Sequence, residues 1–546
     1  MKTVRTVPVL VSALLAATVA LAAQHQHEAG APPEKLGKVR FATSCSAAVQ
    51  PEFDRAVALL HSFWFPAAID GFGKVLERDP GCGMAYWGIA MSHWGNPFAG
   101  SRPLQALHDG RAAVEKAKAT GAKTPRERDY LAAVATLYKD FEAVDQRTRT
   151  LAYEKGMEQL AATYRDDREA TIFYALALDQ TALPSDKTYA NQLKAAAMLE
   201  KESARQPEHP GIAHYIIHSY DVPSLASRAL DAARRYATIA PAAPHALHMP
   251  SHTFTRLGYW QESINSNLAS AEVARKANSI GEVLHAWDYQ VYAYLQTAQD
   301  TAARRVVDQT KTTAASLDTA GGYGPVGLFA FAAISARYTL ERRAWNDAAA
   351  LVPQASRSPH TDAITHFARA LGAARGGNAG AARQDIDKLA WLRDSLTQAK
   401  EGYWAEQVEI QRRVAEAWAL RAEGKGGEAV ALLRAAADQE DATEKSAVTP
   451  GPIAPARELL GEMLLESNQP AAALEAFEAT MQKEPNRFRG VYGGARAAEL
   501  AGDVKRARLY YGRLLEICQA ADKPGRPELE EARKFLGRTV NNRDRR

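Results

Sequence analysis

The feature that most constrains this chain is a 34-residue recurrence near its C-terminal end. Asn468, Ala473 and Phe477 return as Gly502, Ala507 and Tyr511, each 34 residues later. Pro485 stands between the two units, in Lys483-Glu484-Pro485-Asn486, where its ring cannot continue a helix. A turn residue, a small residue five later and an aromatic nine later describe one helical hairpin. The small residue lets the two helices approach, and the aromatic fills the groove against the next unit. Such a hairpin cannot bury its apolar face alone, so the recurrence requires an array.

The same grammar runs through the rest of the chain. Glu77-Arg78-Asp79-Pro80 closes one hairpin and Met84-Ala85-Tyr86-Trp87-Gly88 opens the next, while Pro210 and Pro244 are again 34 apart. Gly424-Lys425-Gly426 followed by Glu428-Ala429-Val430 marks another turn. Thr124-Pro125-Arg126-Glu127 is a capping box with Pro at the first helical position. The pattern resembles the tetratricopeptide repeat (TPR). It predicts an all-α, TPR-type α-solenoid of roughly a dozen helical hairpins forming a superhelix. Ala is abundant and alternating strand patterns are absent, which favours helix against helix.

The predicted organisation is a signal peptide at 1–22 and a flexible segment at 23–47. An N-terminal array then covers 48–326, with a histidine-rich region at 209–288 inside it. A C-terminal array at 327–520 precedes a capping helix and polar tail at 521–546. Gly-rich or polar stretches at 96–103, 321–327 and 439–451 read as loops or hinges.

Lys2 and Arg5, the apolar run Val7 to Ala20 and the small residues Ala20-Leu21-Ala22 form an export signal. The apolar run is shorter than the roughly 20 residues a spanning helix needs, so the expectation is cleavage, a periplasmic or secreted location and no stable membrane span. Removing 1–22 takes away two cations and no acid, so the net charge falls from +4 to +2. A nearly balanced chain without a basic tract gives no support for nucleic-acid binding. The partners expected are a protein, a peptide or a small molecule in the concave groove.

The chain has three cysteines. In an oxidising compartment Cys45 and Cys82 are expected to pair, a closure that stabilises by roughly 3–4 kcal/mol through chain entropy. Cys518, in an apolar helix, is expected as a buried thiol.

Histidine is distributed unevenly. Seven of 14 (His209, His214, His218, His245, His248, His252, His285) fall within 209–285, where even spreading would place about two. His214 and His218 are four apart, on one helix face, and Asp221 follows. His248 and His252 repeat that interval, with His245 three before. His285 and Asp288 stand one turn apart in the next repeat. The predicted metal ligands are His214, His218, His248, His252, His285 and Asp288, with Asp221, His245 and His209 as further candidates. Imidazole ligands favour zinc, copper, nickel or iron over calcium or magnesium. A polar packing network is the alternative account. Pro250 either starts a helix or kinks one, which weakens the His248–His252 argument. His61 and His93, beside Trp64 and Trp94, read as aromatic packing, and His25 and His27 as part of a polar terminus.

Enzyme motifs are mostly absent. Tyr215 stands where a zincin carries its general base, and there is no nucleophile elbow, P-loop or dinucleotide fingerprint. Ser62-Phe63-Trp64, Met84-Ala85-Tyr86-Trp87-Gly88, His209-Pro210-Gly211, His248-Met249-Pro250-Ser251-His252 and Asp288-Tyr289, with Cys82, together resemble a group of exported bacterial TPR-repeat proteins. That resemblance implies the TPR fold and an extracytoplasmic location, and it leaves activity open. Two functions are therefore expected to compete. One is a scaffold binding a ligand in its groove with a metal at the histidines. The other is a metal-dependent enzyme, a hydrolase for example, with Asp221 or Asp288 as base.

Overall fold

The two ends of the 34-residue recurrence are left-handed turns: φ is +55° at Asn468 and +79° at Gly502. These turns separate helix Ala456–Glu466 from Pro470–Lys483, and Phe488–Leu500 from Val504–Ile517. Ala473 and Ala507 are fully buried where the two helices of a hairpin meet. Phe477 is fully buried as well, because Gly493 makes room for it: a Cβ there would lie 2.3 Å from the ring.

The structure is a computed structural model that describes residues 34–315, 324–354, 356 and 358–541. The export signal and the histidines at 25 and 27 lie outside the described residues. The described residues are helical hairpins in chain order with no strand among them, from helix Gln50–His61 to Pro527–Asn541. This is an all-α TPR-type solenoid in which consecutive helices are antiparallel neighbours. No helix among the described residues is long and apolar enough to cross a membrane.

Local chemistry sets the helix starts. Thr124 and Glu127 form the capping box of helix Pro125–Tyr138, and Glu127 also receives the Ser44 backbone N–H and hydroxyl. Pro210 and Pro244 each occupy the first turn of a helix. A disulfide joins Cys45 to Cys82, and Cys518 is free and buried.

Two of the stretches read as loops are pinned rather than loose. The 439–451 stretch stays helical to Asp441 and then sends the buried side chain of Lys445 to Asp221, 3.2 Å away. In the 96–103 stretch Phe98 stacks on His218 with ring centres 4.0 Å apart. Both partners are remote in sequence, so composition alone does not reveal them. The third stretch is not a loop throughout: 324–327 open helix Gly324–Glu341, and 321–323 lie outside the described residues.

Candidate metal centre

Four helices carry the histidines, the middle two consecutive, with an α-helix intervening on either side of that pair. His214 and His218 lie on Pro210–Ser219, and His285 lies on Ile280–Gln296. Between them the chain passes from helix Pro244–His248 into Pro250–Leu257 through Met249, whose φ and ψ (−53°, −36°) are helical. Pro250 therefore starts a helix without turning the chain away, and His248 and His252 still face one another.

The structure sorts six imidazoles into two adjoining trios, His214–His218–His245 and His248–His252–His285. Within each trio the candidate ligand atoms lie within 4.8 Å of one another. The trios meet at His218–His252 and at His245–His248, both with ring centres 6.0 Å apart. All six are buried, with exposures from 0% at His214 and His248 to 9% at His218.

Outer partners fix the ring protons. His214 donates Nδ1–H to the His61 carbonyl at 2.7 Å. His248 donates Nδ1–H to Asn267 Oδ1 at 2.6 Å, and the Asn267 amide is oriented by donating to the Ser263 carbonyl at 2.7 Å. His252 donates Nδ1–H to Asp221 Oδ2 at 3.0 Å. In each neutral ring this leaves Nε2 as a lone pair. His248 Nε2 and His252 Nε2 are 3.1 Å apart, so two lone pairs face each other. Tyr289, 3.2 Å from His252 Nε2, has one hydroxyl proton and cannot serve both. In the first trio His214 Nε2 lies 3.1 Å from His218 Nε2. His245 Nε2 and His285 Nδ1 are buried without a hydrogen-bond partner.

Burial, with neighbouring imidazoles adding to it, holds His214, His218 and His248 well below the usual imidazole range. Burial takes His252 down to about 4 in spite of Asp221, and His285 down to about 3. Neutral rings remove the one arrangement, an imidazolium, that would put a proton between the facing nitrogens. Two nitrogens 3.1 Å apart subtend about 100° at an ion roughly 2.0–2.1 Å from each, an angle suited to tetrahedral coordination.

The other candidates have different places. Asp221 stands behind His252, where it also takes Arg256 Nε at 2.8 Å and Lys445 Nζ at 3.2 Å. Asp288 belongs to neither trio: its Oδ1 accepts from Arg337 Nε at 2.8 Å, and both side chains are fully buried. His209 belongs to a third group with His61 and Glu169. There Ile212 N–H donates to His209 Nδ1, and His209 Nε2 and His61 Nε2 each lie 2.9 Å from a Glu169 oxygen. Tyr215 Oη, 2.8 Å from His61 Nδ1, completes that network. Burial alone would raise the Glu169 carboxyl, but the two imidazoles outweigh it and hold it at about 2. Every ring nitrogen there has a partner, so this group reads as a polar strut carrying the His61 carbonyl to His214. His61, read from sequence as aromatic packing, is thus an outer support of the first trio.

Arg256 and Lys445 also line a small cavity of about 60 Å³, partly open to solvent, together with Tyr403, Trp404 and Gln411.

No family model matches the chain, and no curated protein matches it. Solved structures with a likeness include human IFIT1 as a dimer with m7Gppp-AAAA, at 12% identity and a TM-score of 0.33, covering 81% of this chain and 90% of that one. The TPR domain of P58(IPK) has 12% identity and a TM-score of 0.21, covering 90% and 99%. Naa15/Naa10 bound to HypK-THB has 12% identity and a TM-score of 0.24, covering 90% and 74%. Likenesses of this order fix neither an activity nor a partner, and the hairpin architecture rests on the chain's own helices and turns.

Proposed function

We propose that this chain is an exported TPR-type scaffold that carries a two-ion transition-metal centre. His214, His218 and His245 hold one ion and His248, His252 and His285 hold the other. The observation that carries this reading is the approach of His248 Nε2 to His252 Nε2, 3.1 Å apart in a buried site where both Nδ1 atoms face outer acceptors. Without a cation these lone pairs repel; with one they become ligands, and their outer hydrogen bonds become the supports metal-binding histidines generally have. The ligand groove of this scaffold is the cavity beside the centre, to which Arg256 contributes a buried Nη1 with no hydrogen-bond partner.

A hydrolytic use of the same cluster is less well supported. Asp221 and Asp288, the carboxylates placed to act as base, are committed to Arg256, Lys445 and Arg337.

The test is metal content of the mature protein after equilibration with transition metals, Cu(I) under anaerobic conditions among them, read by elemental analysis. Two ions per chain are expected, falling to one in His252→Ala and one in His218→Ala. A parent that retains no transition metal would remove the reading.

A further inference from the structure

Resting on the two-ion reading, we infer that the centre holds a copper pair whose exogenous ligand is dioxygen. The argument is one of charge and size.

The first coordination shell is neutral: six imidazoles with no carboxylate or thiolate among them. The fixed charges nearest to it cancel. Asp221 and Glu282 are the acids, Glu282 Oε2 lying 3.8 Å from His245 Nδ1; Arg256 and Lys445, both on Asp221, are the cations. Burying an ion costs free energy as the square of its charge, so each dication costs about four times what a monocation does. Two dications would place four uncompensated positive charges among buried groups. Of the metals that imidazole suits, copper alone is stable as a monocation, and as a dication it stands at the top of the affinity order.

A pair of Cu(I) ions brings a charge of two. Dioxygen is neutral; on binding it takes one electron from each Cu(I), leaving two Cu(II) and one peroxide dianion. The centre's charge is two before and after, so the oxidation does not add to the burial cost. No other bond breaks and no proton moves. The charge balance that disfavours two dications alone therefore favours two dications with this ligand.

Access points the same way. Phe98 lies flat on His218, and the Phe63 ring meets His214 edge-on at 4.3 Å and stacks on His245 at 5.4 Å. Tyr289 covers His248 and His252. A wall of aromatic rings around imidazoles no more than 9% exposed admits a small uncharged molecule and excludes a bulky substrate from the ions.

The experiment uses the full mature chain, loaded anaerobically with Cu(I), then exposed to dioxygen, with a Zn(II)-loaded control. Two copper ions per chain, uptake of one dioxygen per pair, an intense near-ultraviolet charge-transfer band and no electron paramagnetic resonance signal are expected. His285→Gln is expected to lose oxygen uptake while keeping one copper; His245→Gln should do the same from the other trio, and far-ultraviolet circular dichroism checks both folds. Two metal ions bound with no oxygen uptake would overturn the copper–dioxygen inference and leave the two-ion reading standing. No stoichiometric metal of either kind would remove both.

Discussion

A neutral imidazole has one N–H and one lone pair, so whatever accepts the N–H decides where the lone pair points. In the second trio that task falls to Asn267 and Asp221, neither of which touches the proposed ion. Replacing Asn267 with Leu removes the acceptor and frees His248 to change tautomer. Loss of an outer partner of this kind costs metal affinity by about 10–100-fold. The expected outcome, by competition with a chromophoric chelator, is that weakening confined to one of the two ions, with the helical content retained. Equal weakening of both ions would instead indicate general loosening of the fold. The i,i+4 pairs His214–His218 and His248–His252 are visible in sequence, because helical geometry alone brings them together. The place of His245 was not: it precedes His248 by three residues, yet it joins the trio of His214 and His218. Nor was the place of Asp288: its partner Arg337 is 49 residues further on and follows from the superhelix rather than from local spacing. The same holds for Phe63, Phe98 and Asn267, whose roles exist only across hairpins.

At the scale of the element, each hairpin is written in the chain by its turn and its small and aromatic residues, as Asn468, Ala473 and Phe477 show. What joins one hairpin to the next is less legible, because it depends on single buried polar groups. Asp179, on helix Arg168–Thr181, meets Ser219 at the end of the His214 helix at 2.6 Å. Ser219 Oγ also lies 2.8 Å from the Tyr215 carbonyl. One hydroxyl proton cannot serve both oxygens, so a protonated Asp179 donates to Ser219, which donates on to Tyr215. Burial supports this by pushing the Asp179 carboxyl up to about 8 against the smaller pull of Ser219. The folded carboxyl thus holds its proton where the unfolded one, at about 3.9, has lost it. Its contribution is fully present below pH 4 and is lost as pH rises toward 8, at about 1.4 kcal/mol per unit. An Asn at this position can donate to Ser219 without titrating. Asp179→Asn is therefore expected to gain stability relative to the parent across pH 5–8, by a few kcal/mol in total, read as the difference in urea midpoints. A pH-independent difference between the two would show that Asp179 is ionised in the fold.

At the scale of the whole molecule, the middle of the array is tied to its C-terminal hairpins by buried polar side chains. Arg337 reaches Asp288 on the His285 helix and the carbonyls of Gly451 and Pro452 on the loop that also supplies Lys445. Arg487 binds Glu341 and Glu458 and donates to Tyr292 Oη at 2.9 Å, and Trp260 Nε1 donates to the Asn486 carbonyl at 2.9 Å. These ties place Lys445 against Asp221, and so connect the C-terminal hairpins to the histidine cluster through Asp221 as well as through Asp288. Arg337→Met should be costly, because it leaves Asp288 buried without its cation; removing one member of such a pair costs about 3–5 kcal/mol. The double variant Arg337→Met, Asp288→Leu removes the stranded charge too. It is expected to recover most of that loss, with the remainder assigned to the Pro452 carbonyl left without its donor, since the Gly451 carbonyl keeps the Thr449 hydroxyl at 2.6 Å. Chemical denaturation gives the energies, and limited proteolysis after residue 441 reports whether the loop is released. If the tie works as described, proteolysis quickens in both variants while stability falls sharply only in the single one. If both variants lose stability equally, the Arg337–Asp288 pair is not what holds the loop's side of the array against the histidine helices.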